Sequence, residues 1–161
     1  MTDNISIRPA KESDIIEIQD IYSHYVLNST CTMDEIPPTI EDMNMRYNKI
    51  TGNGWPWIVA VSKSIIADVG EIDQVIGYAY YSQFKDRDGY RYTVESSIYL
   101  KNGVTRQGIG TLLYKKLIDI AKQSGFHRLV YYIERHIHIN VDSVSIIETI
   151  AIHTDSLSFL L

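Results

Sequence analysis

The apolar positions along the chain switch repeatedly between two-residue and helical spacing. Ile5 and Ile7 alternate with Ser6 and Arg8 ahead of Pro9, the pattern of a short strand closed by a proline. From Ser13 onward Ile15, Ile18, Ile21, Tyr22, Tyr25 and Val26 fall on one helical face, which predicts a helix reaching about Asn28 with Ser13 as its N-cap. A polar loop, 29–38, ends on two prolines. Thr39 with Asp42 then spells a capping box for a second helix, with Met43, Tyr47 and Ile50 inward and Gly52 and Gly54 stopping it. Residues 57–61 and 75–82 read as strands rich in Tyr, Ile and Val. The stretch between them exceeds the roughly two to five residues of an ordinary hairpin loop, so 62–74 is expected to be an inserted excursion. A strand across 94–100, a helix from 110 to about Ser124 stopped by Gly125, and a strand at 129–133 complete the ordered pattern. Leu157, Phe159 and Leu161 alternate, as a single closing strand would.

Composition narrows the classes. A chain of 161 residues with 45% hydrophobic and 22% charged positions has room for one domain, 1–161, with a sizeable core. Its net charge of −5 argues against nucleic acid as a partner, because phosphate backbones demand clustered Lys and Arg. No apolar run approaches the roughly 18–20 residues that span a bilayer, and the N-terminus lacks the basic-then-apolar build of a signal peptide. Cys31 is the sole cysteine, so no internal disulfide is expected, and a cytoplasmic location follows as the expectation. His136 and His138 share one side of H-I-H, but neither His153 nor Glu134 offers a third ligand at recognisable spacing, so no metal is expected.

The chemistry concentrates between Val94 and Thr111, V-E-S-S-I-Y-L-K-N-G-V-T-R-Q-G-I-G-T. An apolar strand runs into a glycine turn that opens a helix. Backbone N–H groups converge at such a turn and the helix dipole adds partial positive charge, so it is built to hold an anion. Gly108 and Gly110 leave no Cβ in the way of a ligand close to the main chain. There is no G-x-x-x-x-G-K-[ST] and no third glycine completing G-x-G-x-x-G, which leaves a pyrophosphate-binding turn of unspecified family. Glu95 lies on the strand feeding it, and a carboxylate there suggests proton removal beside a nucleotide-like cofactor. Its bland alternative is a strand-end glutamate paired with Arg91 or Lys101. Upstream, Lys85 and Arg87 are two apart and share a side when extended; they suit clamping a small dianion, unless Asp86 and Asp88 neutralise them locally.

The run R-Q-G-I-G-T after S-I-Y-L resembles the acetyl-CoA loop of the GNAT N-acetyltransferase superfamily. Residues 77–100, with Lys85 and Arg87, Tyr90, and Thr93-Val94-Glu95 before an apolar strand, resemble its phosphinothricin N-acetyltransferase branch. Trp55-Pro56-Trp57 resembles that branch's Tyr-Pro-Trp entry to the second strand. The resemblance covers about residues 5–148 and implies an α/β fold, a mixed, mostly antiparallel twisted sheet with helices on both faces. It implies acetyl-CoA as acetyl donor, with the backbone of Ile98, Tyr99 and Leu100 along the pantetheine arm. Arg106, Gln107, Gly108, Ile109, Gly110 and Thr111 would hold the pyrophosphate, and Asn140 would bond the arm. Glu95 would be the base. Lys85, Arg87, Tyr90 and Tyr92, with Met33 and Glu35 from the 29–38 loop (Asp34 lies between them), would surround a small amino acid whose α-amine is acetylated, such as phosphinothricin or methionine sulfoximine or sulfone. A homodimer is implied too. Two departures stand out: Thr105 occupies a loop position usually held by Gln or Arg, and Ile147 stands where a His precedes Glu148. From about residue 149 the match ends, so shortened or divergent C-terminal strands are expected. The alternatives are acetylation of another amine (a polyamine, an antibiotic, a protein N-terminus) and non-catalytic acetyl-CoA binding.

Overall fold

Among the described residues six strands join into one sheet whose spatial order follows the chain, β1-β2-β3-β4-β5-β6. The computed structural model describes residues 4–66, 70–104, 106–137 and 144–153. Strand β1 (Ile5–Pro9) is followed by helices α1 (Ile15–Asn28) and α2 (Ile40–Gly52). Then come β2 (Trp57–Ile66), β3 (Gly70–Gln83), β4 (Thr93–Leu100), helix α3 (Ile109–Gln123), β5 (Arg128–Ile137) and β6 (Val144–His153). All neighbouring strands are antiparallel except β4 and β5, which run parallel and therefore need the crossover that α3 supplies.

The two faces carry separate cores. Ile15, Ile18, Ile21 and Tyr22 of α1 and Met43 and Ile50 of α2 pack on Trp57, Val59, Val61, Val75 and Tyr78. Leu113, Leu117 and Ala121 of α3 pack on Ile58, Ala60, Ile76, Ala79, Tyr81 and Val94 from the other side. Helices thus cover both faces, because each amphipathic stripe has one face of the pleat to bury against.

Alternation along β3 contains a break. Ala60 pairs with Gly77 but Val61 pairs with Val75, so Ile76 is an extra residue, a β-bulge. Its displaced backbone groups find partners elsewhere: Glu17 of α1 accepts from the Val75 amide at 3.1 Å, and the Lys101 amide donates to the Ile76 carbonyl at 2.9 Å.

Two local expectations need correction. The 62–74 stretch is mostly ladder, since β2 and β3 continue in register from Ser62↔Gln74 to Ile66↔Gly70. The excursion is a lengthened hairpin. Ser13 does not cap α1. It lies within a short 3-10 turn, Glu12–Asp14, and Asp14 accepts from the Lys11 amide at 2.7 Å. The capping box of α2 forms as read, with Thr39 and Asp42 each accepting from the other's amide. At the C-terminal end, Val144–His153 forms a strand antiparallel to β5; Leu157, Phe159 and Leu161 lie outside the described residues.

Candidate active site

Strands β4 and β5 separate. Their parallel ladder joins Thr93, Val94 and Glu95 to Arg128, Leu129 and Val130, while β4 continues to Leu100 and β5 to Ile137. Beyond Glu95 the β4 backbone facing β5 is therefore released from the ladder. A forked sheet of this kind offers main-chain donors and acceptors that an extended ligand can pair with as an added strand would. Ile98, Tyr99 and Leu100 border the opening, and the Leu100 carbonyl accepts from the Tyr25 hydroxyl at 2.8 Å.

The mouth of this fork meets the glycine turn. Gly108 caps α3 with φ +77 and Arg106 sits at φ +63. The left-handed conformation is ordinary for glycine and strained for arginine, and such strain gathers where a turn is shaped for a ligand. A Cβ on Gly108 would meet nothing within 4 Å, so space above the turn is open. Ile109 is buried and points into the α3 core. Arg106, Gln107, Gly108 and Thr111 are exposed around the helix N-terminus, with Gly110 partly covered. Asn140 lies outside the described residues, as does Thr105; so do the side chains of His136, His138 and His153.

Glu95, at the last rung of the ladder, is half-buried. Burial pushes its carboxyl above the ordinary range, and Lys85 pulls it partly back. Among the described residues it has no ion-pair partner: the charge pairs there are Arg8 with Asp14 and Asp73, and Arg46 with Asp34. Arg91 is turned to Tyr92, 4.7 Å from its ring centroid, and to the Asp88 carbonyl. Lys101 is near Glu17. Neither partner of the structural alternative is joined to Glu95, which suits a proton acceptor poised by desolvation.

Side chains alternate along β4 so that Glu95, Ser97 and Tyr99 face α1 and α2. There they border an aromatic trough. Tyr99 meets Tyr22 at 5.2 Å, Tyr25 at 5.3 Å and Tyr78 at 5.3 Å between ring centroids. Trp57 stacks on Tyr80 at 4.5 Å. Burial raises the Tyr80 phenol, and Ser97, Arg46, Glu95 and Asp34 all act on it, so charges from three elements surround this ring. The 29–38 loop is latched here by Asp34, which accepts from the Tyr22 hydroxyl at 2.9 Å and from Arg46 at 2.7 Å. Arg46 also lies 5.3 Å from the Tyr22 ring centroid.

The sequence-selected substrate residues divide. Lys85 lies 4.9 Å from the Phe84 ring centroid and 5.8 Å from that of Tyr90, and its charge reaches Glu95. Arg87 is exposed. Tyr92 packs edge-on against His127 at 5.1 Å. Met33 is 79% exposed and Glu35 is exposed, while Asp34 between them holds the latch. The sequence does not single out Arg46, Tyr22 or Tyr80: Tyr22 reads as part of the α1 stripe and Tyr80 as part of a strand, Arg46 stands outside the α2 stripe, and their convergence is a tertiary fact.

Comparison with known proteins agrees with this architecture. Residues 7–149 match the family model described as acetyltransferase (GNAT) domain. The phosphinothricin N-acetyltransferase of Alcaligenes faecalis is 29% identical over 78% of this chain and 59% of its own length. An L-methionine sulfoximine/L-methionine sulfone acetyltransferase of Pseudomonas paraeruginosa is 31% identical, over 80% of this chain and 70% of its own. The matched region thus spans less than two thirds of the first of these relatives. Among solved structures, a GNAT superfamily phosphinothricin acetyltransferase from Sinorhizobium meliloti in complex with acetyl-CoA superposes with TM-score 0.70 and 38% identity, covering 81% of this chain and 66% of that one. A forked sheet, a glycine turn at a helix N-terminus and the family match lead to one assignment: the chain belongs to the GNAT acetyltransferase family.

Proposed function

We propose that the chain is one N-acetyltransferase domain that uses acetyl-CoA to acetylate the α-amine of a small amino acid of the phosphinothricin or methionine sulfoximine kind. The observation that carries this is Glu95: a half-buried carboxylate without an ion-pair partner among the described residues, at the root of the β4–β5 fork. The residues present fit the donor. The fork leaves the Ile98–Leu100 backbone available to a pantetheine arm, and the turn at 106–111 presents helix-terminal amides and an open surface to a pyrophosphate. Acetyl-CoA supplies an activated acyl group whose carbonyl carbon an amine can attack, with its thiol as leaving group.

The chain's own contribution is positional and electrostatic. An ammonium must lose a proton before its nitrogen can attack. Glu95 takes it, and desolvation brings the carboxylate's basicity nearer working pH. Lys85, beside Glu95, favours the anionic end of an amino acid and opposes a polyamine. The Asp34–Arg46–Tyr22 latch shapes the far wall.

The test is thiol release from acetyl-CoA in the presence of L-phosphinothricin, methionine sulfoximine or methionine sulfone, with wild type and Glu95→Gln. Turnover on one of these that is lost in the variant supports both the reaction and the base. Full activity in Glu95→Gln returns Glu95 to a structural role, and binding of acetyl-CoA without turnover on any of the three rejects the substrate class.

A further inference from the structure

One buried hydroxyl at the fork is left without a hydrogen bond among the described residues. It belongs to Tyr114 on the α3 helix. Its ring packs edge-on against Tyr131 of β5 at 5.5 Å. Its polar neighbour is Ser96 of β4, which acts on the phenol. Ser96 gives its own proton to the Val130 carbonyl at 3.2 Å, and no aligned bond joins it to Tyr114. Ser96 and Val130 flank the rung where the ladder ends, so the phenol stands at the crotch of the fork. It lies on the face opposite Glu95, because residues 95 and 96 point to opposite sides of the pleat.

A buried hydroxyl left unpaired is destabilising, and native proteins retain such groups where a ligand or water completes them. We infer that the Tyr114 hydroxyl is a hydrogen-bond donor to the thioester end of the bound acyl donor, completing at the root of the fork what the glycine turn begins at its mouth. This rests on the acetyl-CoA reading above. The arm must bring its acyl carbon to within reach of Glu95, and Tyr114 adjoins β4 at Ser96, one residue past the end of the ladder. A phenol held protonated by burial is suited to donate and not to accept charge.

Tyr114→Phe removes the hydroxyl and keeps the ring. Because that hydroxyl has no partner among the described residues, the variant's melting temperature without ligand is expected to equal or exceed that of wild type. Its dissociation constant for acetyl-CoA, by calorimetry, is expected to rise about three- to tenfold. Affinity for a donor fragment lacking the pantetheine arm is expected to be unchanged. Equal acetyl-CoA affinity in variant and wild type overturns the inference and leaves the acetyl-CoA reading intact. A loss of melting temperature in the free variant overturns it in favour of a structural hydroxyl. Failure of wild type itself to bind acetyl-CoA rejects the underlying reading.

Discussion

At Gly77 β3 and β4 approach closely, and replacing it with alanine tests that arrangement. It pairs with Leu100 across the ladder. A Cβ there would stand 2.6 Å from Leu100 Cδ2, 3.0 Å from the Tyr99 carbonyl oxygen and 3.3 Å from Leu113 Cδ1. The first contact alone would be relieved by rotating Leu100. The second is main chain, and the third belongs to a side chain that is 0% exposed on α3, so retreat is blocked on two sides. The cost therefore falls in the upper part of the range for overpacking, about 2–3 kcal/mol. In a chain of this size that is roughly 5–10 °C in melting temperature. Urea titration followed by circular dichroism measures it. Gly52→Ala at the end of α2, where a Cβ meets nothing within 4 Å, serves as control and should change stability by no more than about 1 kcal/mol. Adding Leu100→Ala to Gly77→Ala should recover part of the loss, as coupled neighbours do. A Gly77→Ala protein within about 0.5 kcal/mol of wild type would show that the strands part freely here.

Other expectations follow from the charges. Lys85 holds the Glu95 pKa down, so Lys85→Gln should move the acid limb of kcat/KM to higher pH, on top of a loss at every pH from the missing partner of the substrate's anionic end; a limb that stays put or moves to lower pH refutes the coupling. Burial pushes the Asp14 carboxyl up, but bonds from Arg8 at 2.6 and 3.0 Å and from the Lys11 amide outweigh it and leave the pKa lowered. Its contribution is thus complete above the ordinary aspartate value and is lost as pH falls through the lower folded value. Asp14→Asn should cost about 1–3 kcal/mol at neutral pH and flatten that acid dependence in urea midpoints. Arg46→Ala releases Asp34 and should raise KM for the amine about tenfold with under about 1 kcal/mol change in stability, because the pair is partly exposed; unchanged KM would remove the latch from the substrate wall.

What the sequence revealed was whatever neighbouring residues decide. The α2 capping box is a three-residue pattern and forms as read. The stripe of α1 is set by helical period and buries Ile15, Ile18, Ile21 and Tyr22. Glu95 and the glycine turn stood out because one continuous stretch carries them. The lengthened hairpin did not, because Lys63, Glu71, Asp73 and Gln74 make 62–74 polar enough to read as loop. Residue type points to Ser13 as the cap, yet the Asp14 carboxylate takes the Lys11 amide and ties Arg8 as well. The Asp34–Tyr22–Arg46 latch draws on a loop and two helices, and no local spacing announces such a meeting.

The bulge at Ile76 gives the sheet something like a reading frame. Val75 and Tyr78 lie on the α1 and α2 face although they are an odd number of positions apart, while Ile76, Ala79 and Tyr81 face α3. The extra residue is what permits this, since it shifts the phase of the pleat midway along β3. Downstream of it, Tyr78 and Tyr80 keep their orientation because the bulge takes up that one extra residue. Deleting Ile76 would leave Val75 next to Gly77 in a regular ladder, with Tyr78 and Tyr80 still on the α1 and α2 face and Ala79 and Tyr81 still toward α3; what would go are the backbone bonds that the bulge makes to Glu17 and Lys101. Substitutions along this strand change what the trough is made of, whereas drawing the extra residue into the regular pleat would exchange the trough for its own reverse side.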